Sequence, residues 1–300
     1  MQWIYTMTAG KADNWRHPKY PVYVISKGRW EHPYTIRALQ RMGVWFYLVI
    51  EPCELHHYRP LVDDDQILLL PFNNAGCSIP ARNFAWEHSI SRGYERHWIL
   101  DDNIRNFYYV HKNVKWRVKS GFTFRLIEEF VDRYENIAMA GMQYEMFFPR
   151  RFRRPPFSWN KRIYSCILIK NDIPMRWRGK YNEDTDLSLR VLKAGYVTVL
   201  FYAFVAEKIA TMRLKGGNTD ALYKKGKGRT KMAIALAMQH PDVTTITYRW
   251  HRYQHEVDYS PFANNMPILK KDASPLNIGE HIVKFHVNER TGGERGKVAD

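Results

Sequence analysis

Cysteine is scarce in this sequence: Cys53, Cys77 and Cys166 are the three in 300 residues, and no two of them form a Cys-x-x-Cys pair. That excludes a disulfide-stapled scaffold, disfavours a zinc ribbon or finger, and suits reduced thiols in a cytoplasmic setting. No run of about 18 apolar residues occurs, the length a membrane-spanning helix needs. Near the start, Lys11 and Arg16 follow the apolar residues instead of preceding them, the wrong order for a secretory signal. There is no internal repeat and no long low-complexity tract. Acid is also short: 30 Asp and Glu stand against 46 Lys and Arg, a formal net charge of +16. The remainder is ordinary globular composition, 45% hydrophobic and 25% charged, with length for one large domain or two modest ones.

A charge this positive favours polyanionic partners, because Lys and Arg displace counterions from phosphates. A generally basic surface also fits the total, so where the charge lies matters more. Arg150, Arg151, Arg153, Arg154, Lys161 and Arg162 are interleaved with Phe152, Phe157 and Trp159, and no acid interrupts them. Between Lys208 and Lys231, a stretch that includes Lys215, eight basic residues face Asp220 alone. Basic side chains mixed with aromatics suit a phosphate backbone and an unstacked base.

The order of apolar runs predicts the fold. Pro21 to Ser26 reads as a buried strand ending at Lys27-Gly28-Arg29, and a helix from about Pro33 to Met42 is stopped by Gly43. Strands follow at Val44 to Ile50 and Ile67 to Leu70, then Ile79-Pro80-Ala81-Arg82-Asn83 leads into a helix through Ser91. The strand Trp98 to Leu100 runs straight into Asp101-Asp102-Asn103. After a helix at Phe122 to Tyr134, strands are predicted at Ile137 to Ala140, Ile163 to Ile169 and Val197 to Tyr202. Between the last two, Asn182 is placed to cap a helix opening Glu183-Asp184, with Leu187 and Val191 on one apolar face. A last helix is expected at Arg229 to Gln239. This alternation predicts an α/β fold: a Rossmann-like, mostly parallel central sheet with helices on both faces and a C-terminal extension. Ligands of such sheets bind beyond the carboxyl ends of the strands, which puts Lys27-Gly28-Arg29 and Asp101-Asp102-Asn103 on one crevice.

Adjacent carboxylates at a strand end repel each other, and a bound divalent cation relieves the repulsion. Such a metal bridges a diphosphate and stabilises a departing nucleotide. An acidic turn that merely caps the next segment fits the same residues. Glu183 and Asp184 occupy a helix's first turn, where the dipole favours their charge; either is a candidate base, and simple dipole complementarity also accounts for them. Lys27, Arg29 and Arg82 are candidate phosphate contacts, each equally readable alone as a solvated charge. Their order supports nucleotide-sugar chemistry: a basic loop after a strand, an acidic triplet mid-chain, and a Glu-Asp helix start roughly eighty residues later.

PVYVISKGRW, SIPARNFAWEHS, WILDDNI and NEDTDLSLRVLKAGY occur in the order found in the GT-A glycosyltransferase superfamily, which the chain resembles over about Pro21 to Ala206. Within it the chain resembles the bacteriophage TET/JBP-associated glycosyltransferases, which act on 5-hydroxymethylcytosine in DNA; RLKGGNTD and HRYQHEVDYSPF carry the narrower likeness. The resemblance implies a UDP-sugar donor (glucose or N-acetylglucosamine), manganese or magnesium, DNA as acceptor, and the cytoplasm of an infected host as setting. It implies that Ser26, Lys27, Arg29, Arg82, Asp101 and Asp102 bind the donor. Asp184 would be the acceptor base with Glu183 beside it, and Asp102, Asn103 and His255 would form the metal site, with Asp258 as the alternative to His255 from the C-terminal segment. Many relatives carry Asp where Asn103 stands, which weakens that site. Arg150, Arg151, Arg153, Arg154, Trp159 and Lys215 are the expected DNA contacts. The expected division is an extension at 1–20, a catalytic domain at 21–206 and a basic segment at 207–300 completing the site. Two alternatives share these features: transfer to a polysaccharide, lipid or protein hydroxyl, and a DNA-binding protein on a decayed transferase fold.

Overall fold

A computed structural model describes residues 15–73, 76–148, 155–209, 228–273, 276, 278 and 280–286. Strand β1 (Val22–Ile25) leads to helix α1 (Tyr34–Arg41), β2 (Tyr47–Ile50), β3 (Ile67–Leu69) and helix α2 (Ile79–Ser91). Then come β4 (Arg96–Asp101), the hairpin β5 (Ile104–His111) and β6 (Val114–Arg117), helix α3 (Phe122–Val131) and β7 (Ile137–Tyr144). β8 (Phe157–Trp159), β9 (Cys166–Lys170), α4 (Glu183–Lys193) and the long β10 (Val197–Lys208) complete the sheet. Helix α5 (Gly228–Gln239) and a separate hairpin, β11 (Thr244–Arg249) and β12 (Arg252–Val257), follow.

The sheet order is β3-β2-β1-β4-β9-β7-β10-β5-β6, with β8 also paired to β10. The run β3-β2-β1-β4 is parallel, as is the β7–β10 pair. β9 is inserted antiparallel between β4 and β7, and β5 runs antiparallel to β10. The fold is thus α/β with a mostly parallel sheet, and the reversed strands lie in its middle and toward the β6 edge.

Strand alternation divides the core in two. Val22 and Val24 of β1 with Cys166 and Leu168 of β9 face α1 and α3, where Ile36, Leu39, Phe124 and Ile127 are buried. Tyr23, Ile167 and Ile169 face the other way, onto Ala85 and Trp86 of α2 and Leu187 and Val191 of α4. Each of the buried Val, Leu, Ile and Phe side chains contributes on the order of 1.5–3 kcal/mol. β7 and β9 approach so closely that a Cβ on Gly141 would lie 2.3 Å from the carbonyl oxygen of Cys166. No larger residue fits there without moving a strand.

Helix α2 takes in Ile79 to Asn83, the residues expected to lead into it, and α1 stops at Arg41, with Gly43 (φ +62°) just beyond it as the left-handed terminator. Asn182 departs from expectation. It is left-handed (φ 54°), makes no side-chain cap, and spends its amide on the carbonyl of Met232, 2.8 Å away. The α4 start is instead tied to the segment that follows the sheet. Beyond the sheet, Leu236, Val243 and Phe262 pack on Leu189 and Leu192 of α4. Asn160 and Asn265 stitch the same region with hydrogen bonds to the backbone carbonyls of Phe262, Leu192 and Tyr196. Among the described residues no helix is long and apolar enough to cross a membrane.

Candidate active site

The sheet's topology gathers the site. β1, β4, β7 and β10 all end at one edge, and the reversed β9 begins there. Ile25 pairs with Asp101, and Leu100 with Cys166, so Ser26, Asp101 and Ser165 are neighbours at that edge. The amide of Asp101 donates to the carbonyl of Ser165 at 2.9 Å. Thr35 of α1 holds the acidic turn from below: its hydroxyl donates to the Asp101 carbonyl at 2.6 Å and accepts the Ile104 amide at 2.9 Å.

Arg82 is the hub. It sits on the first turns of α2, is 3% exposed, and its guanidinium lies over the Trp177 ring. Its Nη2 donates to Asp101 Oδ1 at 2.8 Å and its Nη1 to Asp184 Oδ1 at 2.6 Å, with Glu183 Oε1 at 3.7 Å from Nη2. One side chain therefore joins the strand-end carboxylate to the helix-start carboxylate about eighty residues later.

Lys208, the last residue of β10, closes the other side of Asp101. Its Nζ donates to Asp101 Oδ2 at 2.6 Å and to Ser165 Oγ at 2.7 Å, beneath the Tyr144 ring. Ser165 Oγ also donates to Asp101 Oδ2 at 2.5 Å, which leaves the Tyr144 hydroxyl as donor in its 2.6 Å contact with Ser165. Asp102 points to the β1 side: its Oδ2 accepts from Ser26 Oγ at 3.2 Å, and its Oδ1 is 3.9 Å from Arg29 Nε. Ser26 and the Arg29 amide both meet the buried Tyr58 hydroxyl, at 2.7 and 3.0 Å. Lys27 pairs with Glu51 at 2.6 Å, and Glu54 accepts the amide of Gly28, whose φ of +64° turns the loop.

These contacts separate the carboxyls electrostatically. Burial raises Asp101, but the Lys208 and Arg82 cations more than offset it and hold it near 2. Burial pushes Asp102 up to about 6, with Asp101 adding to the rise against the pull of Arg29. Burial likewise lifts Asp184, Arg82 opposing and Glu183 and Asp101 reinforcing, to about 6. An ionised anchor thus lies beside two carboxyls whose proton affinity suits acid–base work near neutral pH.

The structure brings Ser26, Arg29, Arg82, Asp101, Asp102, Glu183 and Asp184 into one network of contacts at the carboxyl end of the parallel strands, while Lys27 pairs with Glu51. Asn103 turns its amide to the Ile209 carbonyl at 3.4 Å, and its buried Oδ1 has no partner among the described residues. His255 lies on β12, where burial and then Arg162 depress its basicity to about 4. No hydrogen bond or ion pair among the described residues links it to Asp102 or Asn103. Trp159, expected against nucleic acid, packs on Phe130, Tyr134 and Phe157, because β8 pairs with β10 and turns its ring into the core. Arg150, Arg151, Arg153, Arg154 and Lys215 lie outside the described residues.

Three site residues escaped the sequence reading. Lys208 was hidden because the last strand was expected to stop at Tyr202; the apolar run continuing through Ala206 was the available signal. Ser165 and Tyr144 carry no local signature. Asp186, in the same acidic helix start, is different in kind: it is 1% exposed and holds Arg178, Arg190 and His240, joining α4 to the end of α5. The hairpin β11–β12 presents exposed Tyr248, Trp250 and Tyr253 beside Arg249 and Arg252.

A strand-end acidic pair and a helix-start acidic pair thus meet through Arg82 at the carboxyl end of the sheet's parallel strands. The model of the TET-Associated Glycosyltransferase family matches residues 20–217, and the chain belongs to that family. No curated protein matches the chain. Among solved structures, the mannose-1-phosphate geranyltransferase from Thermus thermophilus is similar at 12% identity and a TM-score of 0.31, over 62% of this chain. This chain spans 57% of that one.

Proposed function

We propose that this chain transfers a sugar, glucose or N-acetylglucosamine, from UDP to the hydroxymethyl group of 5-hydroxymethylcytosine in DNA. The observation that carries the reading is the Arg82 clamp, which ties the donor-side Asp101 and the acceptor-side Asp184 to one guanidinium. Ser26, Arg29 and Asp102 line the nucleotide side. The acceptor oxygen attacks the anomeric carbon as the bond from that carbon to the phosphate oxygen breaks. The bonding pair leaves with the nucleoside diphosphate, and the acceptor proton passes to Asp184. Direct attack inverts the anomeric carbon. The raised proton affinity of Asp184 suits that base role.

A hydroxymethyl group on a base edge is reached by turning the nucleotide out of the stack. The β11–β12 hairpin supports a DNA acceptor. Its turn residues Trp250 and His251 both adopt left-handed backbone (φ 52° and 58°), where Asn and Gly are the usual occupants. An indole kept there at 75% exposure, beside Arg249 and Arg252, suits stacking on an unpaired base. The basic net charge of +16 points the same way.

The test is incubation with 5-hydroxymethylcytosine DNA and a panel of UDP-sugars, followed by nucleoside mass spectrometry. One donor should add a hexose or N-acetylhexosamine mass. Asp184→Asn should abolish that gain while donor binding persists; continued turnover by this variant removes Asp184 from the base role.

A further inference from the structure

The GT-A resemblance implies a divalent metal at the acidic turn, and the residues present do not fit one. Both oxygens of Asp101 are already engaged, Oδ1 by Arg82 and Oδ2 by Lys208 and Ser165. Asp102 faces Ser26 and Arg29. At the third position the Asn103 amide is turned toward Ile209. Among the described residues, no three His, Cys, Asp or Glu side chains are grouped as a metal ion requires. Four carboxylates (Asp101, Asp102, Glu183, Asp184) are set against three fixed cations (Arg29, Arg82, Lys208), so much of the charge that a metal would balance is balanced by the chain.

The geometry points to Lys208 as a built-in cation that replaces the metal at the donor diphosphate, a role that rests on the sugar-transfer reading above. The ammonium has three N–H donors. Two are spent on Asp101 and Ser165, which aim the group and keep it 14% exposed at the crevice edge. The third is directed to a phosphate oxygen of the donor. As the anomeric carbon–oxygen bond breaks, its electron pair settles on the diphosphate, and the fixed ammonium stabilises that added charge without giving up its proton. Burial lowers the proton affinity of Lys208; the neighbouring Asp101 carboxylate overrides burial and keeps the ammonium charged. Arg82 completes the cradle, with Asp101 as the shared anchor of both cations.

The experiment measures equilibrium binding of UDP to the intact chain, with ADP, GDP and CDP alongside, in EDTA and in manganese. Manganese uptake is followed in parallel by loss of the free-ion electron paramagnetic resonance signal. The wild type should bind a nucleoside diphosphate equally well in EDTA and should take up no manganese beyond what free nucleotide takes. Lys208→Met should weaken binding in EDTA about 10- to 100-fold, the scale of a lost charge-assisted hydrogen bond. Lys208→Arg should retain most of the affinity, which separates the charge from loss of fold. Binding by the wild type only in manganese overturns the role of Lys208 and leaves the transferase reading intact. Affinity in EDTA unchanged by Lys208→Met overturns it equally. Failure of every nucleotide to bind under both conditions overturns the donor site itself, and the proposal with it.

Discussion

Replacing Arg82 by methionine removes a charge while keeping most of the side chain's length, and its cost should depend on pH in a defined direction. In the native chain the guanidinium satisfies Asp101 Oδ1 at 2.8 Å and Asp184 Oδ1 at 2.6 Å from a position 3% exposed. Removing one partner of a buried pair costs about 3–5 kcal/mol, because the orphaned charge stays buried. Here Asp184 loses its guanidinium and Asp101 loses one of its two cations. Burial already lifts Asp184, and without Arg82 its folded-state affinity rises further above the unfolded value, while Asp101, which keeps Lys208, rises from its depressed position. A carboxyl raised on folding adds stability that is complete below its unfolded pKa and is lost as pH rises through the folded one. The deficit of Arg82→Met should therefore be greatest near about pH 8 and shrink toward about pH 5, by roughly 1.4 kcal/mol for each unit by which one carboxyl is lifted. Urea denaturation of both proteins across that range, followed by tryptophan fluorescence, measures it. A deficit that does not change with pH, or that stays below about 1 kcal/mol at the alkaline end, refutes the assignment of Arg82 as the charge clamp.

Asp102 and Asp184 both titrate near 6, so kcat/KM should fall on acidification below that point with a slope between one and two; a profile flat to about pH 5 rules out an ionised carboxyl in the rate-limiting step. Trp250→Gly should affect stability and DNA binding in opposite directions. Relief of the left-handed backbone outweighs the added freedom of the unfolded chain by roughly 0.5–1 kcal/mol, while loss of stacking weakens DNA binding about 5- to 150-fold. Equal DNA affinity in a filter-binding or fluorescence titration removes the hairpin from the acceptor surface. Glu128 lies fully buried and accepts from the Lys19 and Tyr20 amides and the Trp98 indole, at 2.6, 3.2 and 2.8 Å. Glu128→Leu should cost at least about 3 kcal/mol in thermal denaturation, since three donors are left unpaired, and a loss under about 1 kcal/mol would contradict that account.

Much of this fold was legible because its signals are local. β1, α1, α2 and α4 announce themselves by apolar period and by their stops, and Gly43 ends α1 through its own backbone preference. The rule that ligands lie at strand ends brings Arg29 and Asp101 together, and the order of the motifs adds Asp184. What was hidden is non-local. That β9 runs backwards between β4 and β7 is written in pairings between distant segments, so nothing near Ser165 foretells its place against Asp101. The β5–β6 hairpin turns at Lys112 and Asn113, whose positive φ values carry no glycine to mark them. Trp159 misled for a related reason: its basic neighbours suggested an open face, and strand pairing with Val199 sent the ring inward. Asn182 had the composition of a cap and a different occupation.

The Arg82 clamp also has a thermodynamic consequence. Its two terminal nitrogens serve carboxyls from a strand end and a helix start, so ligand occupancy at one and protonation at the other are linked equilibria. An anion that draws the guanidinium away from Asp184 raises that carboxyl's hold on a proton. By reciprocity, protonating Asp184 changes the affinity for the anion by the same factor. Proton uptake or release on donor binding, read by calorimetry in buffers of different ionisation enthalpy, then becomes a direct gauge of how strongly the two halves of the site are coupled.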